Sequence, residues 1–190
     1  MMHVERACEL ITTDYKDVLE FGVFRGTTIQ VIKEKLNNPE YNIHGFDSFE
    51  GLPEDWVAFD GNIAGEGVCK AGFFTNDGLI PDISGVTFYK GWFEDTIKDY
   101  LKIAQPIALL HVDCDLYSST KTVLYNLNDY IKEGTIIVFD EWFYNANPAY
   151  NDHEQKCFHE WAVDFNRYYE LIDHVNEGWV NEQQIVKILK

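Results

Sequence analysis

Short apolar runs that stop at a glycine or an acid, each followed by helical periodicity, recur along the chain. Residues 18–21 form such a run. It ends at Gly22, and Ile29, Val31, Ile32 and Leu36 repeat behind it at helical spacing. The pattern predicts a buried strand, a glycine turn and a helix stopped by Asn37-Asn38-Pro39. Residues 43–46 predict a second strand ending at Asp47, and residues 86–90 a third, followed by a helix over 93–103. The unbroken apolar run 107–112 predicts a central parallel strand buried on both faces. Behind it, Val123, Leu124, Leu127 and Tyr130 mark the inner face of a helix that Ser118 is placed to cap. Residues 135–139 give a fifth strand ending at Asp140-Glu141, residues 152–165 a helix, and 169–175 with 184–189 a closing pair of strands. An N-terminal helix is expected within residues 1–16, packed on the sheet or covering a ligand. The glycine-rich stretch 56–85, with Pro81, is expected to hold a short helix and a flap over the site. No repeat or linker divides residues 1–190, so the order predicts one doubly wound α/β domain.

The first strand and turn look like a ligand cradle. Gly22 lets the backbone turn sharply, and Gly26 lets a ligand lie against the main chain. The free N–H groups of the helix start, from Thr27 on, face the same space. Glu20, near the strand's carboxyl end, offers a carboxylate to a positive group. Asp47 ends the second strand, where nucleotide-binding α/β folds keep an acid for ribose hydroxyls. A plain glycine turn and a helix-capping aspartate are the alternatives at these positions.

Charge narrows the ligand. A net charge of -17 would repel a phosphate backbone, so a nucleic-acid substrate is excluded and a neutral or cationic small molecule expected. Cys8, Cys69, Cys114 and Cys157 are scattered, so they read as reduced packing thiols and not as a disulfide or zinc framework. The chain offers neither a membrane span nor the layout of a signal peptide, which gives a cytoplasmic expectation. In such sheets ligands bind beyond the carboxyl ends of the strands. Glu20, Asp47, Asp113 and Asp140-Glu141 all fall at that rim. Like charges gathered there need an answer: bound Mg²⁺, a cationic ligand, or separation into individual caps and solvated acids.

Five segments together resemble the macrocin O-methyltransferase family, S-adenosylmethionine-dependent enzymes acting on sugar hydroxyls of macrolides. They are Glu20-Phe21-Gly22-Val23-Phe24-Arg25-Gly26, Asp47-Ser48-Phe49-Glu50-Gly51-Leu52-Pro53 and Lys90-Gly91-Trp92-Phe93-Glu94-Asp95-Thr96, then Asp113-Cys114-Asp115-Leu116-Tyr117-Ser118-Ser119-Thr120 and Val138-Phe139-Asp140-Glu141. They stand in the family's order. The resemblance implies a Rossmann-like class I methyltransferase sheet of seven strands with an antiparallel last strand. It also implies that Glu20, Gly22 and Gly26 face the methionine part of the cofactor, that Asp47 and Ser48 meet the ribose, and that Trp92 borders the adenine. Asp113, Asp140 and Glu141 would match the magnesium-binding acids, with Glu141 standing where the family commonly has aspartate, and Asp113 the general base. The expected activity is therefore O-methylation of a hydroxylated small molecule such as a sugar or polyol, with self-assembly left open. A nicotinamide-dependent oxidoreductase shares the turn and the ribose acid, but Phe24 stands at the middle glycine of Gly-x-Gly-x-x-Gly. A non-catalytic cofactor-binding protein of the same fold is the other alternative.

Overall fold

The computed structural model describes residues 3–56, 69–144, 153–176 and 181–190. Its strands are β1 (Asp17–Phe21), β2 (Asn42–Asp47), β3 (Val86–Lys90), β4 (Ile107–Val112), β5 (Ile136–Tyr144), β6 (Tyr169–Asn176) and β7 (Asn181–Ile188). The helices are α1 (His3–Glu9), α2 (Thr27–Leu36), α3 (Phe93–Tyr100), α4 (Tyr117–Leu127) and α5 (His153–Asp164). One sheet runs in the order β3-β2-β1-β4-β5-β7-β6. β1 to β5 pair in parallel, and β7 lies antiparallel between β5 and β6. This is the seven-stranded arrangement expected above.

Period-two alternation divides the core between the two faces of the sheet. Val18, Leu109, Ile136 and Val138 belong to the apolar cluster of Ile29 and Ile32 on α2 and of Val4 and Ala7 on α1. Leu19, Leu110, Ile137 and Phe139 belong to the cluster of Ile97 on α3, Val123 on α4 and Phe158 and Trp161 on α5. β4 is buried at every position, as its unbroken apolar run requires. α1 therefore packs on α2 and the sheet, and it ends at Glu9, short of the expected residue 16.

Two local expectations need correcting. α4 begins at Tyr117 behind Leu116 with no side-chain cap, so Ser118 lies inside the first turn and its Oγ donates to Glu54 Oε1 instead. β5 does not stop at Phe139 but runs to Tyr144, because Phe143 and Tyr144 pair with Glu182 and Asn181 of β7 across a register shift. In the 56–85 stretch, residues 57–68 lie outside the described residues, and 69–85 hold turns without a helix. That part is fastened to the turn after β2 by Leu52 N–H to Phe73 O (2.9 Å) and Gly72 N–H to Leu52 O (2.9 Å). No helix among the described residues is long and apolar enough to cross a membrane.

Candidate active site

The strand order reverses between β1 and β4, and a cavity of about 780 Å³ opens there at the carboxyl ends of the strands. Gly22 makes the junction tight. Its φ is +91°, and a Cβ on it would lie 1.6 Å from the Asp113 carbonyl oxygen. Asp113 N–H in turn donates to Phe21 O (2.9 Å), and Gly22 N–H to Phe46 O (3.0 Å), so the ends of β1, β2 and β4 are stitched together. Asp47 holds the turn from the other side. Its Oδ2 accepts the Val23 and Phe24 N–H groups, both at 2.7 Å, and its Oδ1 accepts Phe49 N–H at 2.6 Å. Two acceptor sites on each oxygen leave one on Oδ1 for a ligand. Ser48 Oγ is likewise engaged, donating to Gly51 O and accepting from Glu50 N–H.

Of the residues expected to meet a cofactor, Gly22, Thr27, Asp47, Ser48, Trp92 and Asp113 line this cavity. Glu20 and Gly26 do not. A Cβ at Gly26 would meet Ile83 Cδ1 at 2.8 Å and the Pro81 ring, so its missing side chain makes room for the 81–83 segment. Glu20 is 1% exposed and sits inside the ladder between Gly45 and His111. Its Oε2 lies 3.1 Å from His111 Nδ1. Burial raises the Glu20 carboxyl's pKa, and His111 and the nearby Ile29 amide work against that rise; Oε1 makes no hydrogen bond of normal geometry.

The acids at the ends of β4 and β5 form two groups. His111 and Asp113 alternate on the α2 face of β4, and Asp140 continues the same face of β5. Their ligand atoms all lie within 4.8 Å of one another. His111 was not foreseen, although a polar residue inside a buried run is the signal that could have found it. Its Nε2 is buried without a hydrogen bond, 3.8 Å from Asp140 Oδ1, which also accepts from Gln183 Nε2. Burial alone would lower the imidazole pKa, but the facing Asp140, Glu20 and Asp113 outweigh it and hold it well above its usual value. Burial and then Asp140 push the Asp113 carboxyl well up, with His111 opposing. Two carboxylates at this separation fit a divalent cation by their chemistry, and the imidazole can join them only as the neutral ring, once a cation displaces the proton that the facing acids favour.

Glu141, the third acid of the expected ligand group, is not one of these three residues. The strand continues through it across a register shift between Phe139 and Phe143, and its backbone N–H is taken by Glu154. It still lines the cavity, its Oε2 is buried without a partner, and burial followed by Asp115 and Asp140 raises its pKa. Asp115 follows in a left-handed conformation (φ +60°), its pKa pushed up to about 7 by burial, then by Asp140 and Asp47. Glu154 of α5, also unforeseen, is fully buried beneath them. Its Oε1 accepts Cys114 N–H (3.4 Å) and its Oε2 accepts Glu141 N–H (3.1 Å).

The cavity wall is strongly acidic. Asp47, Glu54, Glu94, Asp113, Asp115, Asp140 and Glu141 line it, against Arg25 as the one cation among the described lining residues. Phe24 (φ +50°) carries a side chain where a dinucleotide turn keeps glycine, and its ring meets Phe74 edge-on at 6.2 Å.

Comparison with known proteins agrees with this layout. Residues 1–160 match the family described as Macrocin-O-methyltransferase (TylF). The chain belongs to that family. Among curated proteins it is 29% identical over 145 residues to the 8-demethyl-8-(2,3-dimethoxy-alpha-L-rhamnosyl)-tetracenomycin-C 4'-O-methyltransferase of Streptomyces olivaceus, covering 68% of this chain and 54% of that protein. It is 29% identical over 142 residues to the demethyldecarbamoylnovobiocin O-methyltransferase of Streptomyces niveus, covering 66% and 52%. The TylF-family chain thus spans about half the length of the curated relatives it matches. Among solved structures, the calicheamicin methyltransferase CalS11 superposes with a TM-score of 0.70 at 21% identity, over 97% of this chain and 76% of that one. The O-methyltransferase NovP gives 0.67 at 22%, over 98% and 78%. The O-methyltransferase from Bacillus cereus in complex with SAH gives 0.63 at 10%, over 98% and 80%. At these identities the likeness establishes the fold, a class I methyltransferase sheet.

Proposed function

We propose that this TylF-family protein is an S-adenosylmethionine-dependent O-methyltransferase acting on a hydroxyl of a sugar-like or glycosylated small molecule. One observation carries the reading: a single cavity joins the glycine turn, Asp47 and Trp92 to the carboxylates of Asp113 and Asp140. A cofactor bearing a sulfonium and an ammonium suits so acidic a wall, whereas the pyrophosphate of a dinucleotide would be repelled by it and blocked by the Phe24 side chain. Family membership and the names of the curated relatives, both O-methyltransferases and one of them acting on a rhamnosyl compound, support the same class.

In this reading the turn at Gly22 and the N–H groups at Thr27 lie along the methionine part, the remaining acceptor site of Asp47 with Ser48 beside it takes the ribose, and Trp92 covers the adenine. Glu20 acts from beneath, by orienting His111. S-adenosylmethionine supplies, when bound, a methyl group already activated on sulfur. Asp113 and Asp140, with His111 or Glu141 completing the set, would hold Mg²⁺, whose charge lowers the pKa of an acceptor hydroxyl. Asp113 would take the acceptor hydroxyl's proton on a carboxylate oxygen, and the bound cofactor would supply the methyl group to that oxygen and leave as its thioether. Holding the reactants in line supplies much of the rate, up to about 7–11 kcal/mol in favourable cases.

Calorimetry with S-adenosylmethionine, S-adenosylhomocysteine and NAD tests the cofactor, and transfer of a labelled methyl group to polyols and glycosides, with and without EDTA, tests the reaction. Binding of the first two but not NAD, with turnover that Asp113→Asn abolishes, is the expected result. NAD binding in their place would overturn the reading, and turnover unchanged by EDTA would remove the metal from it.

A further inference from the structure

The parallel ladder between β4 and β5 ends at the pair Val112 and Phe139. One step further stand Asp113 and Asp140, and one step beyond those the strands have separated, so the Cys114 and Glu141 amides have no ladder partner across the gap. A buried backbone N–H needs an acceptor. Glu154 supplies both, one oxygen to each strand end, at 3.4 Å to Cys114 and 3.1 Å to Glu141. It is 0% exposed, in the first turn of α5, and its neighbours along the inner face are Cys157, Phe158 and Trp161. The helix is fixed against the same rim at two further points. His153 Nδ1 accepts Tyr117 N–H (3.1 Å), and Tyr117 OH donates to Glu160.

We propose that Glu154 is a positioning residue whose carboxylate spans the opened ends of β4 and β5 and so sets the separation of Asp113 and Asp140, and with it the affinity of the site for a divalent cation. Packing alone does not call for a carboxylate there. An apolar side chain would fill the same space without desolvating a charge, but it would leave two buried amides unanswered on either side of the acids. Glu154 is not itself a lining residue, nor one of the group His111, Asp113 and Asp140; it reaches the cavity wall only at the backbone of Cys114 and Glu141. Its influence passes through the backbone of Cys114, which follows Asp113, and of Glu141, which follows Asp140. Residues that orient metal ligands without touching the metal typically change affinity by about 10–100-fold when altered. The inference rests on the metal part of the function proposed above.

The probe is Mn²⁺, followed by electron paramagnetic resonance on the full chain, alongside calorimetry with S-adenosylhomocysteine and amide exchange at Cys114 and Glu141. Glu154→Gln keeps the shape but offers one acceptor oxygen and sets an NH₂ against the second amide. It should weaken Mn²⁺ by about 10–100-fold while S-adenosylhomocysteine affinity stays within about twofold, and exchange should quicken at one or both amides. A merely structural role would lower the melting temperature and leave Mn²⁺ affinity untouched. Wild-type Mn²⁺ affinity in the variant overturns the proposal and leaves the metal reading standing. Failure of the wild-type protein itself to bind Mn²⁺ instead overturns the metal reading, and this proposal with it. Should the variant not fold, exchange in the wild-type protein still decides: Cys114 and Glu141 amides exchanging as fast as exposed loop amides would show that Glu154 does not hold them.

Discussion

Replacing Gly22 by alanine tests the junction on which the cavity depends, whatever ligand fills it. Two penalties are separable. An L-residue at φ +91° is strained by about 1–2 kcal/mol. The added Cβ would also lie 1.6 Å from the Asp113 carbonyl oxygen and 2.7 Å from its carbon, both backbone atoms that no rotamer change can move. Forcing them apart breaks into the bond from Asp113 N–H to Phe21 O, and overpacking of this kind costs about 1–3 kcal/mol more. The expected loss is about 2–5 kcal/mol, which for a chain of this size lowers Tm by about 4–20 °C. Gly72→Ala is the matched control. Its φ is +83°, but the nearest atom to a new Cβ is Glu50 O at 3.9 Å, so it carries the strain without the collision. Urea unfolding of both variants isolates the contact as a difference of at least about 1 kcal/mol. Equal losses would mean that the ends of β1 and β4 do not approach as described, and the tight floor of the cavity would have to be abandoned.

Three other substitutions probe the cavity itself. Asp47→Ala strips the acceptor from the Val23, Phe24 and Phe49 amides; S-adenosylhomocysteine affinity should fall at least about tenfold, since each unanswered amide costs about 1–3 kcal/mol, and calorimetry showing full affinity would take Asp47 out of the cradle. Trp92→Ala removes a side chain that is 39% exposed, so stability should change by less than about 0.5 kcal/mol. Cofactor binding should still weaken by about 1–3 kcal/mol if the indole stacks on adenine; unchanged binding would place the adenine elsewhere. Asp140→Asn should abolish Mn²⁺ binding seen by paramagnetic resonance and leave S-adenosylhomocysteine affinity nearly intact, and retained Mn²⁺ binding would assign the metal to other residues.

Much of the fold is written in local pattern. β1, β3 and β4 lie where the pattern predicts; for β4 the reason is plain, since a strand buried on both faces needs an unbroken apolar run and an acid to end it. α2 stops at Asn37 for a reason equally local. Side-chain partnerships are different, because they depend on register. Glu20 looks like a rim residue when the chain is read alone. Pairing with β4 sets it opposite His111, 91 positions away, where its carboxylate lies 3.1 Å from the imidazole. Gly26 likewise has a partner that the chain order hides, the 81–83 segment packed against it.

The acids show where such a reading reaches its limit. That they gather at the strand ends is legible, since each closes an apolar run. Which of them can share one ion is not, because it turns on whether β5 stops at Phe139 or continues. The run of apolar residues breaks at Asp140, and only pairing with β7, a strand more than forty positions later, carries the extended backbone through Glu141 to Tyr144. Asp140 then clusters with Asp113 and His111, while the Glu141 amide is taken by Glu154. A pair that reads as two interchangeable ligands thus differs in its surroundings, one beside the other candidate ligands and one held through its backbone. The anchoring group comes from the first turn of a helix whose sequence gives no hint of it. Changing Glu141 should therefore perturb the cation site less than changing Asp140, an ordering that Mn²⁺ titration of Glu141→Gln beside Asp140→Asn would expose if reversed.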